Sequence, residues 1–285
     1  NIFDFVSPDP DAINPYRRAA RILVDRLRWD LSPESWRSRR RLKAWRDRHR
    51  GEKAVIVCNG PSLLEADFDL LSRCFTFGLN KINLLFDKTS FRPSVVVSVN
   101  EAVIEQNAAF FNDADIPLFL SNVGHRRGWI RPREGVCFLH PGPQGFARDC
   151  SSSVFIGHTV TYVAMQLAFH MGFRDVALIG CDHDFAQKGP ANQWVKAEGP
   201  DLSHFDPNYF AGGVRWQLPD LLQSEVSYEM AKQAYERHGG RIVNATAGGK
   251  LEIFERMELA RFLADGAAAR ADLADALEAG AADAS

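Results

Sequence analysis

The sequence predicts an α/β fold: a mainly parallel sheet with helices on both faces, preceded by a basic helical arm. Two observations carry this expectation. From Lys53 onward, short β-rich apolar runs alternate with helical segments, as crossover units on a parallel sheet require. Before that point, residues 12–50 hold thirteen Lys or Arg against four acids, a local excess of nine positive charges in a chain of net charge −2.

In the arm, Ile22, Leu23, Leu27 and Leu31, then Trp36, Leu42 and Trp45, suit two helices broken near Ser32-Pro33. Its basic face suits anionic lipid or a charged acceptor; the alternative is a solvated helical arm packing by its Trp and Leu residues on the main domain. Strands are expected at 54–58, 75–79, 94–99, 116–120, 135–139, 175–180 and 241–244. Helices are expected at 62–73, 101–111, 158–172, 223–239 and 251–264. Residues 184–222 carry Gly, Pro and aromatics without periodicity, and so long a connection reads as a functional loop or lid. The Ala-rich, acidic stretch 265–285 reads as a helix or frayed tail. The division is thus an arm (1–50), a main domain (51–264) and a tail (265–285).

Composition narrows the classes. A hydrophobic content of 46% with 25% charged residues is that of an ordinary globular protein, and the net charge argues against a nucleic-acid partner. The five cysteines (Cys58, Cys74, Cys137, Cys150, Cys181) show no C-x-x-C pair. They argue against a disulfide framework or structural zinc and for a reducing cytoplasm. No apolar stretch reaches the roughly 20 residues that span a bilayer, and no signal peptide is visible. A cytoplasmic protein is expected, with the arm allowing peripheral contact with the inner membrane. The first residue is Asn rather than Met, which leaves room for an upstream piece.

Missing motifs narrow the chemistry further. There is no G-x-x-x-x-G-K-[ST] phosphate loop, no G-x-G-x-x-G, no G-x-S-x-G elbow and no H-E-x-x-H. What the chain has instead is "AVIVCNGPSLLEADFDLL" (54–71), a buried-strand run that turns through Asn59, Gly60 and Pro61. Ser62 stands where an N-cap would, with Glu65 completing a capping box, so the turn is expected to seat an anion. Three successive strands end in Asn59, Asn80 and Asn100. Strand carboxyl ends share one edge of a parallel sheet, where amide side chains suit a nucleotide base, ribose or phosphate.

Further residues fall on the same edge. Gly157, His158, Thr159 and Thr161 open a helix that buries Val163, Leu167 and Met171, a second anion seat, with His170 expected to pack. "DVALIGCDHDF" places Asp182 and Asp184 just beyond a strand, where they would ligate a hard cation such as Mg2+. The structural alternative has Asp182 accepting backbone hydrogen bonds at the turn. His204, in "LSHFDPNYF", has the chemistry to take a proton from an acceptor hydroxyl, with Asp206 orienting it; the alternative is a loop-anchoring histidine.

The ordered set "VIVCNGPSL", "GLNKI", "VSVNEAV", "GHTVTYVAMQLAFHMGF", "VALIGCDHDF", "SHFDPNYF" and "GRIVNATAGGKLEIF" resembles the bacterial branch of the MptE-like domain over roughly residues 40 to 260. That domain is named for an archaeal 6-hydroxymethyl-7,8-dihydropterin pyrophosphokinase. The branch is similar to the Rossmann-like sialyltransferases of Campylobacter type and to the flagellin-modifying Maf proteins. The resemblance implies a Rossmann-like fold and a transferase that uses a nucleotide-activated donor on a hydroxyl-bearing acceptor. A CMP-sugar glycosyltransferase in surface glycan or protein glycosylation is the first reading. An ATP- and Mg2+-dependent pyrophosphokinase and a non-catalytic nucleotide-binding module are the others. The same resemblance makes Asn59, Gly60, Pro61 and Ser62 the nucleotide-phosphate loop. It places Asn80 and Asn100 on the nucleotide, Gly157 and Thr159 beside the donor, and Asp182 in the family's G-x-D. His204 sits about where the sialyltransferases carry their general base, in a different surrounding motif. Of their tyrosine pair that steadies the departing phosphate, only Tyr162 and Tyr209 are candidates here.

Overall fold

The computed structural model describes residues 14–142, 144–183, 193–196, 201–210, 215–217 and 220–265. Apolar runs too short for helices become strands because burial on both faces needs no alternation. All seven expected strands form: β1 (Lys53–Val57), β2 (Phe75–Leu79), β3 (Val95–Ser98), β4 (Leu118–Ser121), β5 (Val136–Leu139), β8 (Asp175–Ile179) and β11 (Arg241–Asn244). Two short pairs accompany the main sheet: β6 (Pro141–Gly142) with β7 (Val154–Phe155), and β9 (Trp194–Lys196) antiparallel to β10 (Arg215–Gln217). With β12 (Glu255–Arg256), the main sheet has eight strands, all parallel, in the order β12-β11-β8-β1-β2-β3-β4-β5. This is a Rossmann-like α/β fold. The chain starts in the middle at β1, builds outward to β5, then returns to lay β8 on the other flank of β1. The β1/β8 junction is therefore the switch point, where the strands on either side leave in opposite directions and open a crevice at their carboxyl ends.

The helices are α1 (Pro15–Asp30), α2 (Pro33–Trp45), α3 (Phe68–Leu71), α4 (Glu101–Gln106), α5 (Ala108–Asp113), α6 (Val123–Arg126), α7 (Val160–His170), α8 (Leu221–Glu236) and α9 (Leu259–Ala264). Successive residues of β1 feed opposite faces: Ala54 and Ile56 join the α7 side, while Val55 and Val57 join a second core with Ile104 and Phe262. Helix α7 has Thr161 through His170 buried, as a helix apolar on all sides must be when another layer covers it. His170 packs as expected. It is 1% exposed, accepts from Cys150 N at Nδ1 and donates from Nε2 to Leu42 O.

Several helix expectations need correction. The span 62–73 is a 3-10 turn (Pro61–Glu65) followed by α3, because Ala66 is extended and Asp67 caps a new turn through Leu70 N. The span 101–111 is split at Asn107 into α4 and α5. Of 251–264 only α9 is helical; Glu255 and Arg256 pair instead with β11, whose outer edge would otherwise lack a partner. The arm divides at Ser32-Pro33 as expected, and α2 packs on the main domain, the second of the two readings of the arm. Its Ser38 Oγ accepts from Phe138 N, and Arg41 donates to Val136 O, so the helix covers the edge strand β5. The stretch 265–285 lies outside the described residues after Asp265. Among the described residues no helix is long and apolar enough to cross a membrane, and all five cysteines are free.

Candidate functional site

A cavity of about 450 Å³ opens at the switch point, within the roughly 300–1,000 Å³ typical of small-ligand sites. Asn59, Gly60, Asn80, Asn100, Gly157, Thr159, Asp182 and His204 all line it. Pro61 and Ser62 do not; the anion seat expected of this turn is taken by the protein itself. Ser62 is not an N-cap, since Gly60 occupies that position with extended backbone. Ser62 instead donates from Oγ (2.9 Å) and N (3.3 Å) to Asp182 Oδ2, joining the ends of β1 and β8 across the crevice. The same contact explains Gly60: a Cβ there would stand 1.7 Å from Asp182 Oδ2. A phosphate at the turn would meet a carboxylate already in place.

The three asparagines do converge, each already partly engaged. Asn59 Nδ2 donates to Leu79 O and to the Tyr209 hydroxyl. Its Oδ1 is buried and has no hydrogen-bond partner among the described residues. A ligand N–H or O–H would satisfy that acceptor, whose desolvation is otherwise uncompensated. Asn80 accepts from Ser98 Oγ at 3.0 Å, and Asn100 caps α4 through Val103 N. Four non-glycine residues described here have left-handed φ, and three of them (Asn80, His158, His183) line the cavity. Such strain concentrates where surrounding structure holds a side chain in place for use.

The long connection supplies the opposite wall. Phe205 N donates to Asn59 O, and Phe205, Tyr209 and Phe210 are buried in the core beneath the β1 edge. His204 stacks on Tyr209 with ring centroids 4.0 Å apart and planes 2° from parallel. Its Nδ1 lies 2.8 Å from Asp201 Oδ2, not beside the expected Asp206, which pairs with Lys88 at 2.7 Å. Burial pushes the Asp201 carboxyl up, but the His204 hydrogen bond and charge and two backbone N–H donors outweigh it and hold it below the usual carboxylate value. A carboxylate only accepts, so Nδ1 is the nitrogen that donates in this pair. Behind the ring, Lys81 donates to Tyr209 O at 2.7 Å; burial lowers its ammonium to about 8, partly offset by Asp201.

Sequence reasoning missed four contributors. Asp201 had a signal in its Asp-x-x-His spacing. Tyr228 of α8 brings its hydroxyl to 3.5 Å from Thr159 Oγ1, and burial pushes it well above the ordinary tyrosine value. His183, left-handed and 3.0 Å from Glu225 Oε1, is a second histidine–carboxylate pair on the wall. Cys58 is a floor residue, its thiol pushed up by a hydrogen bond to Cys181 and by burial. Of the tyrosine candidates, Tyr162 donates to Gly145 O and does not line the cavity, whereas Tyr209 lines it with its hydroxyl accepting from Asn59 Nδ2. Thr159 caps α7, whose first residues open onto the cavity as expected. Of the candidate cation ligands, Asp184 lies outside the described residues, and Asp182 is the carboxylate bound by Ser62. Among the described residues no cluster of three or more His, Cys, Asp or Glu is placed to hold a metal.

A family model for 6-hydroxymethylpterin diphosphokinase MptE-like proteins matches residues 35–188. No curated protein matches the chain. Among solved structures, the Maf glycosyltransferase from Magnetospirillum magneticum AMB-1 is similar, with a TM-score of 0.46 and 16% identity. That similarity covers 80% of this chain and 39% of the other, so the chain spans well under half the length of that protein. The matched residues run from α2 through β8 and take in both sides of the switch-point crevice, and on this match the chain belongs to the MptE-like family.

Proposed function

We propose that this protein is a glycosyltransferase that uses a nucleotide-activated sugar, with the switch-point cavity holding the donor and His204 acting as general base. The observation that carries the reading is His204, paired with Asp201 and lining the same cavity as the strand-end asparagines. Nε2 takes the proton of an acceptor hydroxyl as its oxygen attacks the anomeric carbon. The sugar–phosphate bond breaks and the nucleotide leaves with the electron pair, while Asp201 stabilises the imidazolium. Asn59 Oδ1 offers the nucleotide an acceptor atom, and the resemblance of the family's bacterial branch to sialyltransferases makes CMP the first nucleotide to try.

The family's description favours a second reading, a diphosphokinase using ATP and Mg2+, in which Asp182 exchanges Ser62 for the cation. A thermal-shift panel of CMP, CDP, UDP, GDP, ADP and ATP, with and without Mg2+, separates the two. Stabilisation by CMP without metal supports the glycosyltransferase; a shift only with ATP and Mg2+ supports the diphosphokinase. With the donor in hand, His204→Ala is expected to lower turnover by about 10²–10⁴-fold while leaving the nucleotide shift intact. Nucleotide binding with no turnover by the unsubstituted protein would make it a binding module instead.

A further inference from the structure

Helix α1 buries one residue of sixteen, Trp29. The rest of its apolar content faces outward. Tyr16, Ala20, Leu23 and Leu27 recur at i, i+4, i+7 and i+11, one face of a helix, and Leu31 extends the row past its end. Tyr16 is 84% exposed, Leu23 59% and Leu31 75%. At the corner with α2, Trp36 is 63% exposed and tethered by its indole N–H to Asp30 O. Guanidinium groups border this ridge. Arg17 and Arg28 are exposed along α1, and Arg37 and Arg40 stand beside Trp36 on the exposed face of α2. The acids of α1 are already paired, Asp25 with Arg126 and Asp30 with Arg26 and Arg39.

We infer that this ridge docks on the surface of an anionic lipid bilayer. A row of Leu between Tyr and Trp, bordered by arginines, matches hydrocarbon with acidic headgroups next to it. Nucleic acid would engage the arginines and leave the leucines wet. A second copy would cover the leucines but bring like charges together, with the local acids already neutralised. The ridge is also held in fixed relation to the cavity. Arg26 donates to Ser152 O (2.7 Å) and Ser153 Oγ (2.8 Å), just ahead of β7 and the Gly157–Thr159 wall. Asp25 meets Arg126 on α6, immediately after β4. Both anchors stand at the carboxyl edge of the sheet, the edge on which the cavity opens. Docking would hold that opening near acceptors carried by the membrane.

The test is co-sedimentation with vesicles of phosphatidylcholine alone or mixed with phosphatidylglycerol, and it needs no catalytic readout. Binding is expected only to the anionic vesicles and should weaken as salt rises. Arg17→Gln and Arg28→Gln should each lower partitioning by about fivefold. The double substitution Leu23→Ser/Leu27→Ser should abolish it while leaving the melting temperature unchanged, because both side chains are exposed. Equal binding to neutral vesicles, or anionic binding that survives the leucine substitutions, would overturn the inference. So would a dimer in solution that the same substitutions dissociate, since a second copy would then be the occupant.

Discussion

Gly60 and Asp182 show how one residue choice sets the site. The carboxylate occupies the space a Cβ would need and takes both donors of Ser62, so the turn after β1 and the end of β8 are fastened by a charge-assisted contact. Gly60→Ala is expected to displace Asp182 and destabilise the protein by about 1–3 kcal/mol, the usual consequence of overpacking. A urea melt reads this directly, and an unchanged midpoint would show that the contact does not constrain the turn. The residue scale is also where the sequence was least legible. His204 was visible as a candidate base, but its partner was not: Asp201 lies three residues before it and Asp206 two residues after, and only the path of the loop turns the farther one towards the ring and the nearer one towards Lys88.

At the scale of elements, the edge strand β5 carries its own protection. Parallel sheets leave unpaired backbone groups at their borders, and α2 meets two of them with Ser38 and Arg41. Ser38 also donates to Glu34 Oε1, whose carboxylate pairs with Arg41 at 2.7 Å, so one side chain links the edge to a buried ion pair. Ser38→Ala leaves the buried Phe138 N–H without its acceptor and is expected to cost about 1–3 kcal/mol in a thermal or urea melt. Local amide exchange at Phe138 should rise in parallel. The helical period of α2 and its packing on the main domain were legible in the sequence, but the strand it covers was not, because a serine mid-helix carries no signal of its partner.

For the whole molecule, buried neutral histidines set a lower pH limit. His170 and His140 have pKa values held below the ordinary 6.5, in both cases chiefly by burial. Each accepts a hydrogen bond at Nδ1, from Cys150 N and Asn122 Nδ2 respectively, which protonation would forbid. Below about pH 6.5 the unfolded chain binds more protons at these sites than the folded one, so stability falls as pH drops through that window. Urea midpoints measured from pH 7.5 to 5 should decline, and His170→Gln should flatten part of the slope.

Seven of the eight strands of the main sheet, their order along the chain and the two helices of the basic arm were determined by the sequence itself. Five-residue apolar runs and helical periodicity act over neighbouring residues, and burial on both faces then selects a parallel sheet. The tertiary structure alone decided what stands at the switch point. Ser62 and Asp182 are 120 residues apart, and their carboxylate–hydroxyl contact turned an expected phosphate seat into an internal latch. It likewise decided that the apolar face of α1 looks outward, since helical period specifies a face but not its partner. Contacts of that kind depend on which elements the topology brings together, and no local pattern encodes them.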